Sequence, residues 1–219
     1  MRLTYLGHAA FYLESSKGTR LLTDPYQAGY KGMINHRPIE LTAEIVTISH
    51  DHGDHNSSEI LGGNPKVLTG VGSWSIKDVK IQSIQTFHDN VGGRDRGGNN
   101  IFTAAIDTIR ICHLGDLGHL LSEQQVATIG KVQILLVPVG GTYTIDAEQA
   151  LLVANQINAP VLVPMHYKTD KVGFPLLSLD AFLKCISDTT KIERGKQLEF
   201  EDLDSIPTNR HIIILEPLL

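Results

Sequence analysis

The chain has 219 residues, 42% of them hydrophobic, which is enough to bury a sizeable core and points to a single domain over residues 1–219. Its 19 basic and 24 acidic side chains leave a formal charge of −5, which disfavours an extended grip on phosphate backbones and hence nucleic acid as a partner. The two cysteines, Cys112 and Cys185, lie far apart without C-x-x-C spacing, arguing against a disulfide framework or a thiolate metal site.

In chain order, short apolar or alternating runs predict strands over residues 3–6, 10–13, 20–23, 45–48, 67–68 and 79–84. A glycine-rich stretch over 92–98 reads as a mobile loop. Strands resume over 101–106, 109–112, 134–139, 161–165 and 212–215, where unbroken apolar runs imply burial on both faces. Helices are interleaved. Ser122 with Gln125 forms a capping-box pattern for a helix stopped near Gly130. A second helix starts near Asp146, carries Ala150, Val153, Ala154 and Ile157 on one face, and cannot pass Pro160. Leu179, Phe182, Leu183 and Ile186 repeat that spacing in a third. Helices flanking layered sheets are the expected architecture. Residues 1–6 lead without the long apolar stretch and small-residue cleavage site of a signal peptide, and no later run approaches membrane-spanning length, so a cytoplasmic protein without membrane contact is expected.

The run 45–48 leads through Ser49 into His50-Asp51-His52-Gly53-Asp54-His55. Three imidazoles and the Asp54 carboxylate crowded past a buried strand are costly alone, and a divalent cation relieves both the repulsion and the desolvation. His88, Asp116 and His166 each follow a predicted strand directly, where strand ends open a crevice and distant residues converge.

Ser49-His50-Asp51-His52-Gly53-Asp54-His55 resembles the Thr-His-x-His-x-Asp-His signature of the metallo-β-lactamase superfamily, with Ser49 for the usual threonine. His88, His113-Leu114-Gly115-Asp116 and Pro164-Met165-His166-Tyr167 match its later motifs in order, most like the L-ascorbate-6-phosphate lactonase-like branch. The resemblance implies an α/β fold, a four-layer αββα sandwich. It also implies that His50, His52 and His88 hold one metal, Asp54, His55 and His166 a second, and that Asp116 bridges them. The expected cofactor is two Zn²⁺ ions, with Mn²⁺ or Fe as substitutes, and Asp54 and Asp116 are the expected catalytic carboxylates.

Around this set, Asp24 before Pro25 is expected to accept a hydrogen bond from a ligating histidine, or else simply to start a turn. His8, Asp89, His113 and His119 stay ambiguous between outer contacts to the site and ordinary polar packing. Arg94 and Arg96 in the glycine-rich loop, and Lys168 after His166-Tyr167, are expected to meet an anionic substrate, against the alternative of a solvated loop. The function expected is metal-dependent hydrolysis of a small anionic ester, lactone or phosphodiester. The alternatives are a nucleic-acid phosphodiesterase of the same superfamily, an iron redox protein on this fold, or a metal-binding module without catalysis. The oligomeric state is left open.

Overall fold

The computed structural model describes residues 1–219. In chain order the elements are β1 (Arg2–Gly7), β2 (Ala10–Glu14), β3 (Arg20–Thr23), β4 (Ile45–Ile48), β5 (Lys66–Thr69), β6 (Gly72–Ile76), β7 (Val79–Phe87), β8 (Gly98–Ile106) and β9 (Ile109–His113). They continue with α1 (Glu123–Ile129), β10 (Ile134–Pro138), α2 (Ala147–Ile157), β11 (Val161–Met165), α3 (Leu179–Leu183), β12 (Lys191–Gly195), β13 (Gln197–Glu199) and β14 (His211–Leu215). A six-stranded sheet has the order β13-β1-β2-β3-β4-β5, and an eight-stranded sheet the order β12-β14-β11-β10-β9-β8-β7-β6.

The unbroken apolar runs become the middle of the larger sheet. There β10 pairs parallel to β9 and β11, and β11 parallel to β14. Every residue of β10 and β11 is buried because one face meets the opposite sheet and the other meets helices. Leu3, Tyr5, Phe11 and Leu13 of the small sheet pack against Phe102, Ile111, Leu136 and Val163 of the large one, forming the inter-sheet core. On the outer face of the large sheet, Leu135, Val137 and Leu162 meet Ala150, Val153 and Ile157 of α2. Each fully buried Val or Ile contributes roughly 1.5–3 kcal/mol before the entropy of ordering the chain is counted.

The expected capping box at Ser122 forms, and the second helix, expected to start near Asp146, has one as well. Ser122 Oγ accepts from Gln125 N at 3.2 Å and Gln125 Oε1 accepts from Ser122 N at 2.9 Å. Asp146 and Gln149 make the same reciprocal pair, and α2 ends at Asn158 with φ of 54°. The third helix closes at Leu183, short of Ile186, because Cys185 N and Ile186 N bond to Phe182 O and Leu183 O in a tighter turn. The outer face of the small sheet is covered differently. Leu22, Val46 and Ile48 pack beneath Tyr26, Ile34 and Ile39 from an irregular segment whose only helical turn is the 3₁₀ piece Tyr30–Gly32. Pro25, Pro38, Gly29 and Gly32 keep that segment from forming a regular α-helix.

Hydrogen bonds between the sheets tie them together near one edge, among them Asn100 Nδ2 donating to Ser49 O at 3.0 Å. His166 N donates to His8 O at 2.8 Å, Asn100 N donates to Ser49 O at 2.8 Å, and His113 Nε2 donates to Ala9 O at 2.9 Å. No helix is long and apolar enough to cross a membrane.

Candidate metal centre

The ends of β3, β4, β7, β9 and β11 open at this edge, and each carries polar groups in the turn that follows. The β4 turn supplies His50, His52, Asp54 and His55, while His88 follows β7, Asp116 follows β9 and His166 follows β11. Asp116 Oδ2 is the point of convergence. It lies 3.2 Å from His88 Nε2, 3.3 Å from His166 Nε2, 3.4 Å from His55 Nε2 and 3.9 Å from His50 Nε2. The donors fall into two sets on either side of it. His50, His52 and His88 form one, with His50 Nε2 only 2.9 Å from His52 Nδ1. Asp54, His55 and His166 form the other, joined by His8.

A hydrogen-bond chain behind the donors sets which ring nitrogen is free. Asp24, buried at the end of β3 with φ of 39°, accepts from Ser49 N at 2.7 Å, Ser49 Oγ at 2.5 Å and His55 Nδ1 at 3.0 Å. Because the Ser49 hydroxyl proton is directed to Asp24, its oxygen accepts from His50 Nδ1 at 2.9 Å. With Nδ1 of each ring engaged in this way, Nε2 is the nitrogen that His50 and His55 turn toward Asp116 and the one a metal would take. His8 occupies a left-handed backbone position, φ 55°, held by Tyr5 Oη donating to its carbonyl, and its Nε2 donates to Asp54 Oδ2 at 3.1 Å.

The residues fit divalent ions. The donors are imidazole nitrogen and carboxylate oxygen, the set that suits zinc and its neighbours. His55 Nε2 and Asp116 Oδ1 are buried with no hydrogen-bond partner, each costing about 1–3 kcal/mol unless a cation meets it. The charges agree. Burial disfavours a proton on His55, yet Asp116, Asp54 and Asp24 overcome it and lift the group to about 10, so the surrounding carboxylates favour a positive charge at this point. Burial, then the neighbouring His55, lowers His50 to about 3. Burial alone would raise Asp116, but His166 and His55 hold it well below the carboxylate range.

In front of the centre is a cavity of about 290 Å³ whose floor includes His52, Asp54, His88, Asp116 and His166. The rest of its lining is Tyr30, Lys31, Asp95, Arg96, Tyr143 and Phe174. Of the cations expected to meet substrate, Arg96 lines this cavity, its guanidinium 5.5 Å from the centre of the Tyr143 ring. Arg94 is not part of the lining; its side chain is 76% exposed and pairs with Asp95 at 3.9 Å. Lys168 Nζ donates to Phe174 O at 3.1 Å and braces the chain behind the wall. His113 and His119 are fully occupied by main chain. Gly115 N donates to His113 Nδ1, and Phe87 N donates to His119 Nε2 while His119 Nδ1 donates to Leu120 O. Tyr30, Lys31, Tyr143 and Phe174 were not foreseen, because they come from irregular segments without periodicity.

The sequence model of the β-lactamase superfamily domain matches residues 2–166. A UPF0173 metal-dependent hydrolase of Desulforamulus reducens is 30% identical over 87% of this chain and 93% of its own length. One from Carboxydothermus hydrogenoformans is 29% identical over 82% and 88%. A solved structure from Thermotoga maritima, a candidate Zn-dependent hydrolase of the metallo-β-lactamase superfamily, is 39% identical, covers 98% of both chains and superposes with a TM-score of 0.81. With the signature residues gathered at one sheet edge and three-quarters of the chain inside the family match, the protein belongs to the metallo-β-lactamase superfamily and stands among its metal-dependent hydrolases.

Proposed function

We propose that the centre holds two zinc ions, one on His50, His52 and His88 and the other on Asp54, His55 and His166, with Asp116 shared, and that the enzyme hydrolyses a small anionic ester, lactone or phosphodiester. The observation that carries this reading is the position of Asp116 Oδ2 within 3.2–3.9 Å of four imidazoles drawn from both donor sets. Such ions, when bound, acidify water and polarise the bond under attack. The chain supplies the rest. Asp54, kept ionised by His55 and His8 against the effect of burial, is an acceptor at the cavity floor for a proton leaving the attacking water. The cavity of about 290 Å³ suits a small molecule and not a folded polymer, in line with the net charge of −5. Cys112 and Cys185 are both free thiols, which fits a cytoplasmic setting.

Metal analysis of protein purified without chelator, followed by assays on lactone, phosphodiester, thioester and β-lactam panels, tests the reading. Close to two equivalents are expected. A single equivalent that persists in excess zinc or manganese overturns the dinuclear centre. Asp116→Ala should lose both ions, since the shared anion offsets repulsion between dications about 3.5–4 Å apart. Asp54→Asn should keep about one ion and lose at least roughly a hundredfold in rate, the scale of a positioned proton acceptor.

A further inference from the structure

The cavity lining carries two cations from distant segments, and each is fixed to the metal-ligand loops by a separate device. In one, the Tyr30 ring lies flat against the backbone of Gly53, between His52 and Asp54. A Cβ at Gly53 would stand 2.9 Å from Tyr30 Cδ2 and closer still to Cε2, so only glycine lets the ring settle there. Lys31 Nζ sits 5.0 Å from the centre of that ring. In the other, Asp89, the residue after His88, gathers four backbone amides on one carboxylate. Val91 N and Gly93 N donate to Oδ1 at 2.9 and 2.8 Å, and Asp95 N and Arg96 N donate to Oδ2 at 2.9 and 2.8 Å. That fold of the loop lays the Arg96 guanidinium over Tyr143 and lets Nη2 donate to Thr142 O at 3.4 Å. Asp95 also lines the cavity, and its carboxylate pairs with Arg94, Oδ1 lying 3.9 Å from Nε. Both side chains are exposed, rest on aromatic faces and have no carboxylate partner, so their N–H donors are open to an anion entering the cavity.

We propose that Lys31 and Arg96 form a clamp for an oxyanion group remote from the bond being cleaved, and that the substrate joins this group to the scissile bond through a flat or apolar body lying between Tyr30, Tyr143 and Phe174. The oxyanion is a carboxylate or a phosphate. The inference rests on the hydrolase reading of the metal centre and assigns the end of the substrate that the centre does not touch. Arg96 is matched to a planar or tetrahedral oxyanion by its fork of N–H donors, and Lys31 supplies a mobile point charge from a separate segment of the lining.

The test is calorimetric binding to zinc-loaded protein of 1,4-phenylenediacetate, 4-(phosphonomethyl)phenylacetate and 4-methylphenylacetate. The first two carry a second oxyanion across the ring from the first, and the third has the ring and one carboxylate only. The wild type should bind at least one of the two probes with a second oxyanion about tenfold or more tightly than 4-methylphenylacetate, the scale of one charge-assisted hydrogen bond. Whichever of the two binds better identifies the oxyanion as carboxylate or phosphonate-like. In the Lys31→Ala/Arg96→Ala double variant, with zinc content still at the wild-type level, that preference should collapse toward unity. A wild type without preference, or a preference that survives in the double variant, overturns the clamp and leaves the metal reading standing. If the protein takes up no zinc, the metal reading fails instead. The clamp is then judged on the metal-free protein, where equal affinity of wild type and double variant for both of these probes overturns it.

Discussion

Asp24 shows how much one buried side chain decides. Its carboxylate takes the Ser49 amide, the Ser49 hydroxyl and His55 Nδ1, and through the hydroxyl it also fixes His50, so one residue sets the tautomers of donors in both metal sets. An asparagine at this position would keep the shape and tolerate the φ of 39°, but its amide would put N–H groups against donors that now meet oxygen. His55 would have to move its proton to Nε2, the atom turned toward Asp116. Asp24→Asn should therefore fold and lose roughly 10–100-fold in zinc affinity, the scale for such supporting groups, as read by competition with a chelating dye. Unchanged affinity would remove Asp24 from the centre's design. Among residues, the ones legible in the sequence were those whose neighbours gave them away. His50, His52, Asp54 and His55 fall on one turn, and Asp24 stands at a strand end before proline. His8 and Lys31 are solitary. What makes them matter is a left-handed backbone at φ 55° and 48° and a meeting of distant segments, neither of which leaves a periodic trace.

Among elements, the stretch 92–98 was expected to be a mobile loop because of its glycines, yet four amides from residues 91–96 converge on Asp89 and Gly97 N closes back on Gly93 O at 2.9 Å. The glycines serve the turn geometry of a folded loop; Gly92, Gly93 and Gly97 all have φ near 80°. Burial raises the Asp89 carboxyl, but the amides of Arg96, Gly93, Val91 and Asp95 bring it down to about 2, so the loop holds across the ordinary pH range. Asp89→Ala should release it. Amide exchange over residues 91–97 should quicken by at least about tenfold, the effect of losing one such bond of roughly 1.4 kcal/mol, while zinc content stays at the wild-type level. Exchange as slow as in the wild type would mean that the glycine turns alone shape the loop. The same contrast explains which elements the sequence revealed. Strands buried on both faces and helices with capping boxes carry strong local signals. β6, β12 and β13 do not. The residues of β12 from Lys191 to Arg194 are all exposed, and β6 and β13 show only three to five alternating residues at sheet edges. An edge strand in water needs no apolar stripe, so nothing in its composition separates it from a loop.

At the scale of the whole molecule, the two sheets and the helices on one outer face follow from the apolar runs, whereas the irregular cover over the small sheet does not, because its buried Tyr26, Ile34 and Ile39 have no regular spacing. The donors straddle this architecture. His50, His52, Asp54 and His55 belong to the small sheet's edge, and His88, Asp116 and His166 to the large one's. Bound ions would thus join sheets that the protein otherwise ties at this edge by bonds such as His166 N to His8 O and Asn100 N to Ser49 O. A ligand that binds only the native chain stabilises it by about 4.1 kcal/mol per site at a thousandfold excess over Kd. For a chain of this length each kcal/mol moves the melting temperature by roughly 2–4 °C, so one filled site should raise Tm by roughly 8–16 °C over chelator-stripped protein. Asp116→Ala, lacking the anion on which both sets converge, should melt at nearly the same temperature with and without zinc. If stripped and zinc-loaded wild type melt together, the ions do not bridge the sheets. A zinc-dependent rise that persists in Asp116→Ala would place the stabilising ion away from this centre.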